Sequence, residues 1–529
     1  MLYVAAILLL LIYIMNKIQN INNYWKRKGV KQLPPLPLLG NTGTTLFQKT
    51  SPVDLWHRIY NSFPNERYFG VYQFTTPTLL IKDLNLIKRI TVKDFDTFPE
   101  HASVVPEDAD PFFARNILFM KGGQKWQRLK SLLSPAFTSY KLKTMYPLMV
   151  SCAEQLVRHY EMSSDDVITL EMKETFSKYA SDIIGTTAFG LECNTFSNPD
   201  NIFYKMGQDS IAMRFSSLLK IIGYGAIPAV MKFLGIAFLP RHVSDFFRKI
   251  VLEAMQQRAK QDLQRPDVLN LLLEARKGRL KYEDVDETDT SFATVQESEL
   301  GKVQKFKSSD ISDDDLIAQA VIFFLAGFDT SSTALTFAAY ELAINPDVQR
   351  RLQEEVDAAV EDCGGFVTYD TLISMSYMDL VVTETLRMWP PLTFTDRRAV
   401  KPFTIEPEES DQGTVCFDSG TICVIPVHAI HMDQRYYPNP KKFDPDRFSA
   451  VNKQTLTPFA YLPFGAGPKG CIGTRFALLE VKLVLCAILN KFDIIPVPET
   501  KIPVVTKRRS LFLGAEGGMW LGLKKRDKL

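Results

Sequence analysis

The residue with the clearest capacity for chemistry is a cysteine in a run rich in glycine and proline. The run reads Pro-Phe-Gly-Ala-Gly-Pro-Lys-Gly-Cys-Ile-Gly, from Pro463 to Gly473. Its four glycines and two prolines exclude a helix or regular strand and predict a tight loop. A helical pattern begins at Arg475, so Cys471 lies just before a helix N-terminus, where unpaired amides and the macrodipole stabilise a thiolate. We expect this thiolate to bind a metal or to attack a substrate.

A second run with chemical potential lies upstream, within a long apolar stretch. Residues Asp313 to Ala343 predict one helix that is apolar on nearly all sides at its centre, which is typical of a buried core helix. Asp329 and Thr330 interrupt the stretch and argue against a membrane span. Ala326 and Thr330 share a face, and a threonine hydroxyl can donate to the carbonyl four residues earlier, which bends the helix. Small side chains at Ala326 and Gly327 would leave room there for a flat ligand and a diatomic molecule.

Both runs resemble signatures of the cytochrome P-450 family. The loop is similar to the haem-ligand pattern Phe-x-x-Gly-x-Arg-x-Cys-x-Gly, with a lysine in place of the arginine, at Phe464, Gly467, Lys469, Cys471 and Gly473. The helix matches the oxygen-activation pattern Ala/Gly-Gly-x-Asp/Glu-Thr-Thr/Ser. The resemblance implies that Cys471 is the axial ligand of the iron of haem b. It also implies that Thr330 and Asp329 relay protons to dioxygen.

Further positions carry the resemblance around the same centre. The resemblance implies that the cofactor is bound by Trp126, Lys130, Ala326, Arg397, Phe464, Lys469, Cys471 and Gly473. Arg397 and Lys469 match positions that pair with haem propionates, and a lysine supplies the charge without a bidentate fork. Glu384 and Arg387 lie three apart on one helical face and resemble the family's buried Glu–Arg pair, which Arg447 completes. We expect these three residues to serve folding and assembly of the haem pocket.

The expected fold is mainly α with a small β portion, as a single large haem domain behind an N-terminal membrane anchor. Residues 1–23 predict a transmembrane signal anchor, because Leu2 to Met15 carry no charge. A cleaved signal peptide is the alternative, but the basic residues follow the apolar run and no small-residue cleavage site is present. Residues 24–45 form a basic, proline-rich linker and residues 46–529 the catalytic domain. The basic flank predicts a cytosolic catalytic domain, and the resemblance to microsomal members implies the endoplasmic reticulum membrane.

Composition narrows the function classes. A net charge of +2 gives no reason to expect a nucleic acid partner. Seven cysteines without CxxC pairs suit a reducing compartment, and the six other than Cys471 are expected to be structural.

The polar stretch from Lys281 to Ser309 predicts a surface loop. The apolar stretch between Asn201 and Pro240 favours a buried helix pair, with an exposed loop that dips into the bilayer as the alternative.

The resemblance implies a monooxygenase that inserts one oxygen atom into lipophilic substrates. Residues 182–190 and 265–277 are similar to microsomal insect detoxification enzymes, which implies xenobiotics such as insecticides or plant toxins; endogenous lipids or hormones remain an alternative. The sequence holds no flavin or nucleotide fingerprint, so electrons would come from NADPH–cytochrome P-450 reductase, with cytochrome b5 as a further candidate donor. A haem-thiolate isomerase or dehydratase and a non-catalytic haem-binding protein are the rival classes, which the intact Asp329-Thr330 pair disfavours.

Two surfaces are also predicted. Basic residues expected to form the reductase docking patch are Lys130, Lys441, Lys442, Lys469 and Lys482. The substrate pocket is expected to be lined by Phe112, Phe113, Ile117, Phe323, Phe324, Leu392, Phe394, Leu511 and Phe512.

Overall fold

Helices account for most of the regular backbone, and strands for a smaller part. The computed structural model describes residues 2–43, 50–102, 110, 112, 115–212, 219–220, 223–224, 228–261, 265–276, 312–407, 414–508, 510 and 512–527. The α-helices within them are α1 Leu2–Asn22, α2 Tyr24–Arg27, α3 Pro52–Asn61, α4 Leu84–Lys88, α5 Gln124–Leu133, α6 Ser139–Glu161, α7 Met172–Ile184, α8 Ile202–Ile211, α9 Pro228–Phe233, α10 Arg241–Gln261, α11 Val268–Arg276, α12 Asp313–Ile344, α13 Pro346–Cys363, α14 Tyr369–Ser374, α15 Ser376–Met388, α16 Val427–His431 and α17 Thr474–Lys491. Single-turn 3-10 or π segments occur at Arg89–Lys93, Ser134–Phe137, Gly185–Phe189, Pro445–Phe448 and Asn452–Thr455. The predicted loop from Lys281 to Ser309 lies outside the described residues.

The strands form three small sheets. They are β1 Tyr68–Gln73, β2 Thr76–Ile81, β3 Val167–Glu171, β4 Thr395–Arg398, β5 Phe403–Ile405, β6 Val415–Phe417, β7 Ile422–Ile425, β8 Phe492–Pro496 and β9 Trp520–Lys525. The largest sheet has the order β1-β2-β7-β4, and the others are β3-β9-β8 and β5-β6. β2 and β7 are parallel, whereas the remaining pairs are antiparallel. A hairpin turn joins β1 to β2, and Phe74 adopts a left-handed φ of 54° there.

The long helix α12 runs through the centre of the protein. Ser312 and Asp315 form a capping box at its start, and acidic residues in the first turn suit the positive end of the macrodipole. The helix is long and apolar enough to cross a bilayer, but 72% of its most apolar window is buried inside the protein. It packs along α7, which confirms the prediction of a core helix.

A buried ion pair ties α15 to the segment that leads toward the cysteine loop. Arg387 and Glu384 are both fully buried, and Arg387 donates from Nε and Nη2 to the two carboxylate oxygens at 2.6 and 2.8 Å. Arg387 Nη1 also donates to the His431 carbonyl at 2.8 Å. Glu384 accepts from Arg447 Nε at 3.4 Å and from the Asp444 backbone N–H at 3.0 Å. Since each charge has several partners, the network offsets the desolvation that burial imposes on both ions.

The linker after α1 packs on the largest sheet rather than extending into solvent. Trp25 is fully buried and its Nε1 donates to the Val71 carbonyl at 3.1 Å. A Cβ on Gly70 would lie 2.2 Å from the Trp25 ring, so this position requires glycine. The carbonyl at the end of α1, on Asn22, accepts from Gln32 Nε2 at 2.9 Å and from the Tyr72 hydroxyl at 3.0 Å. The base of α1 is thereby fixed to the body.

The prediction that the apolar stretch between Asn201 and Pro240 forms a buried helix pair is wrong for one side of it. Tyr224 and Met231 are buried, but Phe233 is 90% exposed and Leu234 60% exposed. Val230 is also exposed. The short helix α9 lies at the surface, so its hydrophobic positions on one face meet the core and those on the other do not. Ile221, Ile222 and Ile227 lie outside the described residues.

The Glu384 network predicts a large cost for removing one charge. We expect Glu384→Gln to lower the free energy of unfolding by about 3–5 kcal/mol, because it leaves Arg387 buried without its counter-ion. Asp446→Asn is the matched control, since the Arg351–Asp446 pair is half exposed and should contribute less than about 1 kcal/mol. Denaturant unfolding of both variants checks this. An equal loss in the free energy of unfolding for the two substitutions would contradict the larger contribution that we assign to the buried pair.

Candidate active site

The cysteine loop is closed by its own backbone. The Cys471 N–H donates to the Phe464 carbonyl at 2.9 Å, and the Gly470 N–H donates to the Gly467 carbonyl at 2.8 Å. Gly467 has a φ of +71°, and a Cβ there would lie 1.8 Å from the Thr91 carbonyl oxygen, so only glycine fits. The loop is thus pressed against the backbone that follows α4, with Cys471 held near the start of α17.

The thiol of Cys471 has solvent-accessible surface although protein atoms surround the loop. Burial raises its pKa, while the Gly473 N–H, the Thr474 hydroxyl and the Lys130 ammonium oppose that rise. Gly473 is the N-cap of α17, as the predicted helix start implied. These donors favour the thiolate, and coordination to a metal ion would remove the proton outright.

The other cysteines have different surroundings. Cys152, Cys193, Cys423 and Cys486 are buried, and burial raises the pKa of the Cys193 thiol to about 12. Cys363 is partly buried, and Cys416 is exposed on β6. No group of three or more His, Cys, Asp or Glu side chains in the described residues could hold a metal ion by itself.

A groove opens in the middle of α12. The Thr330 hydroxyl donates to the Ala326 carbonyl at 2.5 Å, which is the bond that the spacing predicts. Ala326 is exposed and Thr330 half-buried, whereas most of the helix is buried. α12 also lies beside the helix that follows Cys471, because Phe137 contacts Phe323 of α12 and Phe476 of α17, with ring centroids 5.3 and 6.5 Å apart.

The acid of the oxygen-activation pattern is held away from the groove. The Asp329 side chain is 6% exposed, and its Oδ1 lies 2.9 Å from Lys173 Nζ on α7. The same ammonium donates to the Asp329 carbonyl at 2.8 Å and to the Ser332 and Thr333 hydroxyls at 2.7 Å. Burial lowers the pKa of Lys173, and Asp329 opposes that shift. Lys173 was not predicted from the sequence. The one signal that could have indicated it is that a lysine stands second in a helix whose other residues are largely buried.

Two lysines and a tryptophan meet beside the cysteine loop. Lys130 Nζ donates to the Pro468 carbonyl, and Lys469 Nζ donates to the Met120 carbonyl at 3.1 Å. The two ammonium groups lie 5.4 and 4.5 Å from the Trp126 ring centroid. Both lysines are buried, with 5% and 9% of their surface exposed. The ring therefore stabilises two cations that have lost most of their water.

Arg397 joins this group from β4. It is fully buried; its Nη2 donates to the Ala466 carbonyl at 2.9 Å and its Nη1 to the Asp396 carbonyl at 2.7 Å. Its Nε is buried without a hydrogen-bond partner among the described residues. Trp126 Nε1 donates to the Ile117 carbonyl at 3.1 Å. Side chains from α5, β4 and the cysteine loop thus converge on one region.

The positive charge in this region exceeds the negative. Burial, reinforced by the charge of Arg397, lowers the pKa of Lys130 to about 8 and that of Lys469 to about 7. Burial likewise lowers the pKa of Arg397 to about 10. The carboxylates of Asp396 and Glu100 act in the opposite direction on Lys469 but do not offset the shift. Buried cations of this kind need an anionic partner.

His101 is a further residue of the site that sequence reasoning missed. Its Nδ1 lies 3.0 Å from Asp396 Oδ1, and the Ala102 N–H donates to Asp396 Oδ2 at 2.6 Å. The Nε2 atom is buried without a hydrogen-bond partner among the described residues. Burial lowers the pKa of His101, and the charges of Arg397 and Lys469 add to that effect. In the sequence, His101 only follows a glutamate, in Phe98–Ala102, and that pattern does not indicate a residue of the site.

The predicted reductase docking patch is wrong for three of its five lysines. Lys130 and Lys469 point into the site, and Lys482 is fully buried with its Nζ 2.9 Å from Asp379 Oδ1. Lys441 and Lys442 are exposed. The sequence showed that these lysines lie close to the predicted motifs along the chain. It did not show which of their side chains face solvent.

The predicted pocket wall is wrong for Phe324. Phe324 is fully buried in a ring cluster between α8, α10 and α12, where its centroid lies 4.8 Å from those of Phe203 and Phe247. It is therefore a packing residue. Leu392 is 49% exposed, as a residue on the wall of an open site would be. Phe112, Ile117, Phe323, Phe394 and Phe512 are partly buried, whereas Phe113 and Leu511 lie outside the described residues.

Comparison with known proteins places these features in one class. The family model for cytochrome P450 matches residues 31–521. Cytochrome P450 9e2 of Blattella germanica is 40% identical over 522 residues, which cover 96% of this chain and 94% of the relative. Cytochrome P450 6k1 of the same species is 36% identical, with 95% and 93% coverage, and probable cytochrome P450 9f2 of Drosophila melanogaster is 34% identical, with 96% coverage of each chain. The chain therefore belongs to the cytochrome P450 family, and the resemblance to insect members is confirmed.

The protein is accordingly a haem-dependent monooxygenase, and the residues of the site fit that cofactor. Cys471 offers an accessible sulfur next to donors that favour the thiolate. Lys130, Lys469 and Arg397 are buried and would supply positive charge for the two carboxylates of haem, and the Nε of Arg397 would supply a further donor. The cation cluster and the thiol are thus the parts of this chain that would hold the group.

Cysteine substitution tests the ligand. We expect Cys471→Ser to abolish the red-shifted absorption of the reduced carbon monoxide complex, because a serine hydroxyl does not supply a thiolate to iron. Cys416→Ser is the matched control, since Cys416 is also exposed but lies on β6, and its spectrum should be unchanged. A thiolate-type spectrum that persisted in Cys471→Ser would exclude Cys471 as the ligand.

Proposed function

We propose that this cytochrome P450 is a membrane-anchored enzyme that inserts one oxygen atom of dioxygen into lipophilic xenobiotics, using NADPH electrons supplied by a separate reductase. The observation that carries the proposal is the groove at Ala326 and Thr330, where a hydroxyl and a small side chain interrupt a buried apolar helix. An isomerase or a non-catalytic haem carrier has no need of a positioned hydroxyl there. The groove therefore favours a reaction that consumes protons beside the cofactor.

Each residue of the site has a definite task in this proposal. Bound haem supplies the iron centre at which dioxygen is activated. The Cys471 thiolate donates electron density to that centre, which distinguishes it from a histidine-ligated one. Thr330 holds a water molecule or a proton at its hydroxyl, in a groove that Ala326 keeps open. The surrounding apolar side chains of α12 limit access of bulk water.

Asp329 can deliver protons to the groove only by way of its ion pair. Its carboxylate is 2.9 Å from Lys173, so the pair must open, or Lys173 must take part, before a proton reaches Thr330. Burial lowers the pKa of Lys173, so its ammonium gives up a proton more readily. We therefore assign Asp329 the role of a proton relay, whose carboxylate accepts a proton from the Lys173 ammonium or from solvent and passes it on toward Thr330, and Lys173 that of the residue that positions it.

Lipophilic xenobiotics are the substrate class we favour. The exposed Leu392 and Ala326 present apolar surface to the site, and the similar proteins include insect cytochromes P450. The purified full chain, reconstituted with NADPH–cytochrome P-450 reductase, with and without cytochrome b5, should oxidise members of a panel of insecticides and plant toxins. NADPH consumption without oxygenated product from any panel compound, together with turnover of an endogenous lipid, would overturn the substrate class. Turnover without NADPH would indicate an isomerase or dehydratase instead.

Thr330 gives the sharpest test of the mechanism. Thr330→Ala should leave folding, haem content and substrate affinity nearly unchanged but lower the product formed per NADPH oxidised. Removal of one positioned proton-transfer group typically costs about 10²-fold or more in rate, and water can replace part of it. The quantity to measure is the ratio of product to NADPH consumed.

Thr336→Ala is the matched control for helix geometry. The Thr336 hydroxyl makes the same type of bond, to the Ser332 carbonyl at 2.6 Å, but it is buried away from the groove. If both substitutions lower the ratio equally, Thr330 acts through the shape of the helix rather than through proton transfer. An unchanged ratio in Thr330→Ala would remove it from the mechanism.

We further propose that α1 anchors the enzyme in the endoplasmic reticulum membrane, with the catalytic domain on the cytosolic side. Helix α1 has 21 residues, and its uncharged part from Leu2 to Met15 would cover about 21 Å, roughly two thirds of the hydrocarbon thickness of a bilayer. Its side chains include exposed apolar groups at Tyr3, Leu9 and Met15. Phe233 and Leu234 form a second exposed apolar patch that would contact the bilayer.

Deletion of residues 1–23 should release part of the protein from microsomes and leave the haem spectrum intact. Adding Phe233→Ser and Leu234→Ser to the deletion should release most of the remainder, because both membrane contacts are then lost. Sedimentation after salt and carbonate washes measures the bound fraction. Loss of haem on deletion would instead make α1 part of the catalytic core.

A further inference from the structure

A cavity lies where α1 meets the body of the protein. Its volume is about 400 Å³. Polar and charged side chains from α1 and the linker line it, namely Tyr13, Asn16, Lys17, Asn20, Tyr24 and Arg27. Ile21 and Pro77 complete the lining with apolar surface. The cavity thus combines two cations, two amides and two phenols with an apolar side.

The walls of the cavity are fixed to the fold. The end of α1 is bound to the body through the Asn22 carbonyl, which accepts hydrogen bonds from Gln32 and Tyr72. Across the cavity, Arg27 Nη1 donates to Asn20 Oδ1 at 3.4 Å. The α1 side and the linker side of the cavity are thus joined by a hydrogen bond between exposed side chains.

The charge of the lining is positive. Among the described residues that line the cavity none carries a carboxylate, while Lys17 and Arg27 carry positive charge. The nearby Asp418 accepts from the Tyr24 hydroxyl at 3.1 Å, but Lys28 pairs with it at 2.7 Å. The carboxylate at the rim is thus already matched by a cation outside the lining, and the cavity favours an anion.

The position of the cavity along α1 indicates which anion. The uncharged run ends at Met15, and the lining begins at Tyr13 and Asn16. Tyrosines and basic residues at the end of an apolar helix lie at the headgroup level of a bilayer. Anionic lipids are concentrated in the cytosolic leaflet, so the anion present at this depth is a lipid phosphate.

We propose that this cavity binds the phosphate-bearing headgroup of an anionic phospholipid, with Lys17 and Arg27 as phosphate ligands and Asn16 and Asn20 as hydrogen-bond donors. The inference rests on the proposed anchoring by α1. Ile21 and Pro77 would contact the glycerol and the first methylenes of the acyl chains. A bound lipid would then hold the catalytic domain at one attitude to the membrane.

The test uses the full chain in detergent, titrated with short-chain phosphatidylserine and followed by native mass spectrometry. We expect phosphatidylserine to bind more tightly than phosphatidylcholine of the same chain length. Lys17→Gln and Arg27→Gln should each weaken phosphatidylserine about fivefold. Lys26→Gln is the matched control, because Lys26 is exposed in the same segment but does not line the cavity, and it should change affinity less than twofold.

Three outcomes would overturn the proposal. Equal effects of Lys26→Gln and Arg27→Gln would mean general attraction to basic residues. Equal affinity for the two lipids, which both carry a phosphate, would mean that the cavity does not select a net anionic headgroup. Inorganic phosphate that bound as tightly as phosphatidylserine would mean that the lipid is not the ligand. Flotation with neutral phosphatidylcholine vesicles tests the anchor separately: binding there without selectivity for phosphatidylserine removes only the lipid site, whereas failure to float removes the anchor as well.

Discussion

A cluster of buried cations is the constraint on which the active site depends. Lys130, Lys469 and Arg397 come from three separate elements, and each has lost nearly all contact with water. Desolvation disfavours their charged forms, and the lowered pKa values of both lysines express that cost. The two carboxylates of haem would remove the cost by pairing with them. Binding of the cofactor is therefore coupled to the packing of α5, β4 and the cysteine loop against one another.

The same convergence fixes the geometry on either side of the cofactor. On one side, the cysteine loop is held by backbone hydrogen bonds and by the close approach of Gly467 to Thr91, so little freedom remains at the thiol. On the other, α12 is buried along most of its length, with Ala326 exposed and Thr330 half-buried one turn later. Burial raises the pKa of Glu480 to about 8, and α17 packs directly against α12. The cysteine loop and the groove of α12 thus belong to neighbouring elements that pack against each other.

The sequence predicted the local features of this site well, because each is set within a few residues. The run of glycines and prolines predicted the tight loop around Cys471, and the spacing of Ala326 and Thr330 predicted their hydrogen bond. Features that depend on distant segments could not be read in the same way. The partner of Asp329 lies 156 residues away on α7, and the burial of Lys130 and Lys469 arises only when their elements meet. The sequence of a helix that is apolar on all sides also does not show which of its faces lines a pocket. For this reason Phe324 was predicted on the pocket wall, whereas it packs against Phe203 and Phe247.

We propose that the buried cations are matched to the carboxylates of haem. The most direct measurement compares the affinity of the haem-free protein for haem and for haem dimethyl ester, which keeps the iron and the ring but carries neither carboxylate charge. Charge-assisted hydrogen bonds contribute about 1.5–3 kcal/mol each, so the account predicts that the ester binds at least about tenfold more weakly. Equal affinity for the two compounds would contradict it, because the buried charge of Lys130, Lys469 and Arg397 would then have another origin.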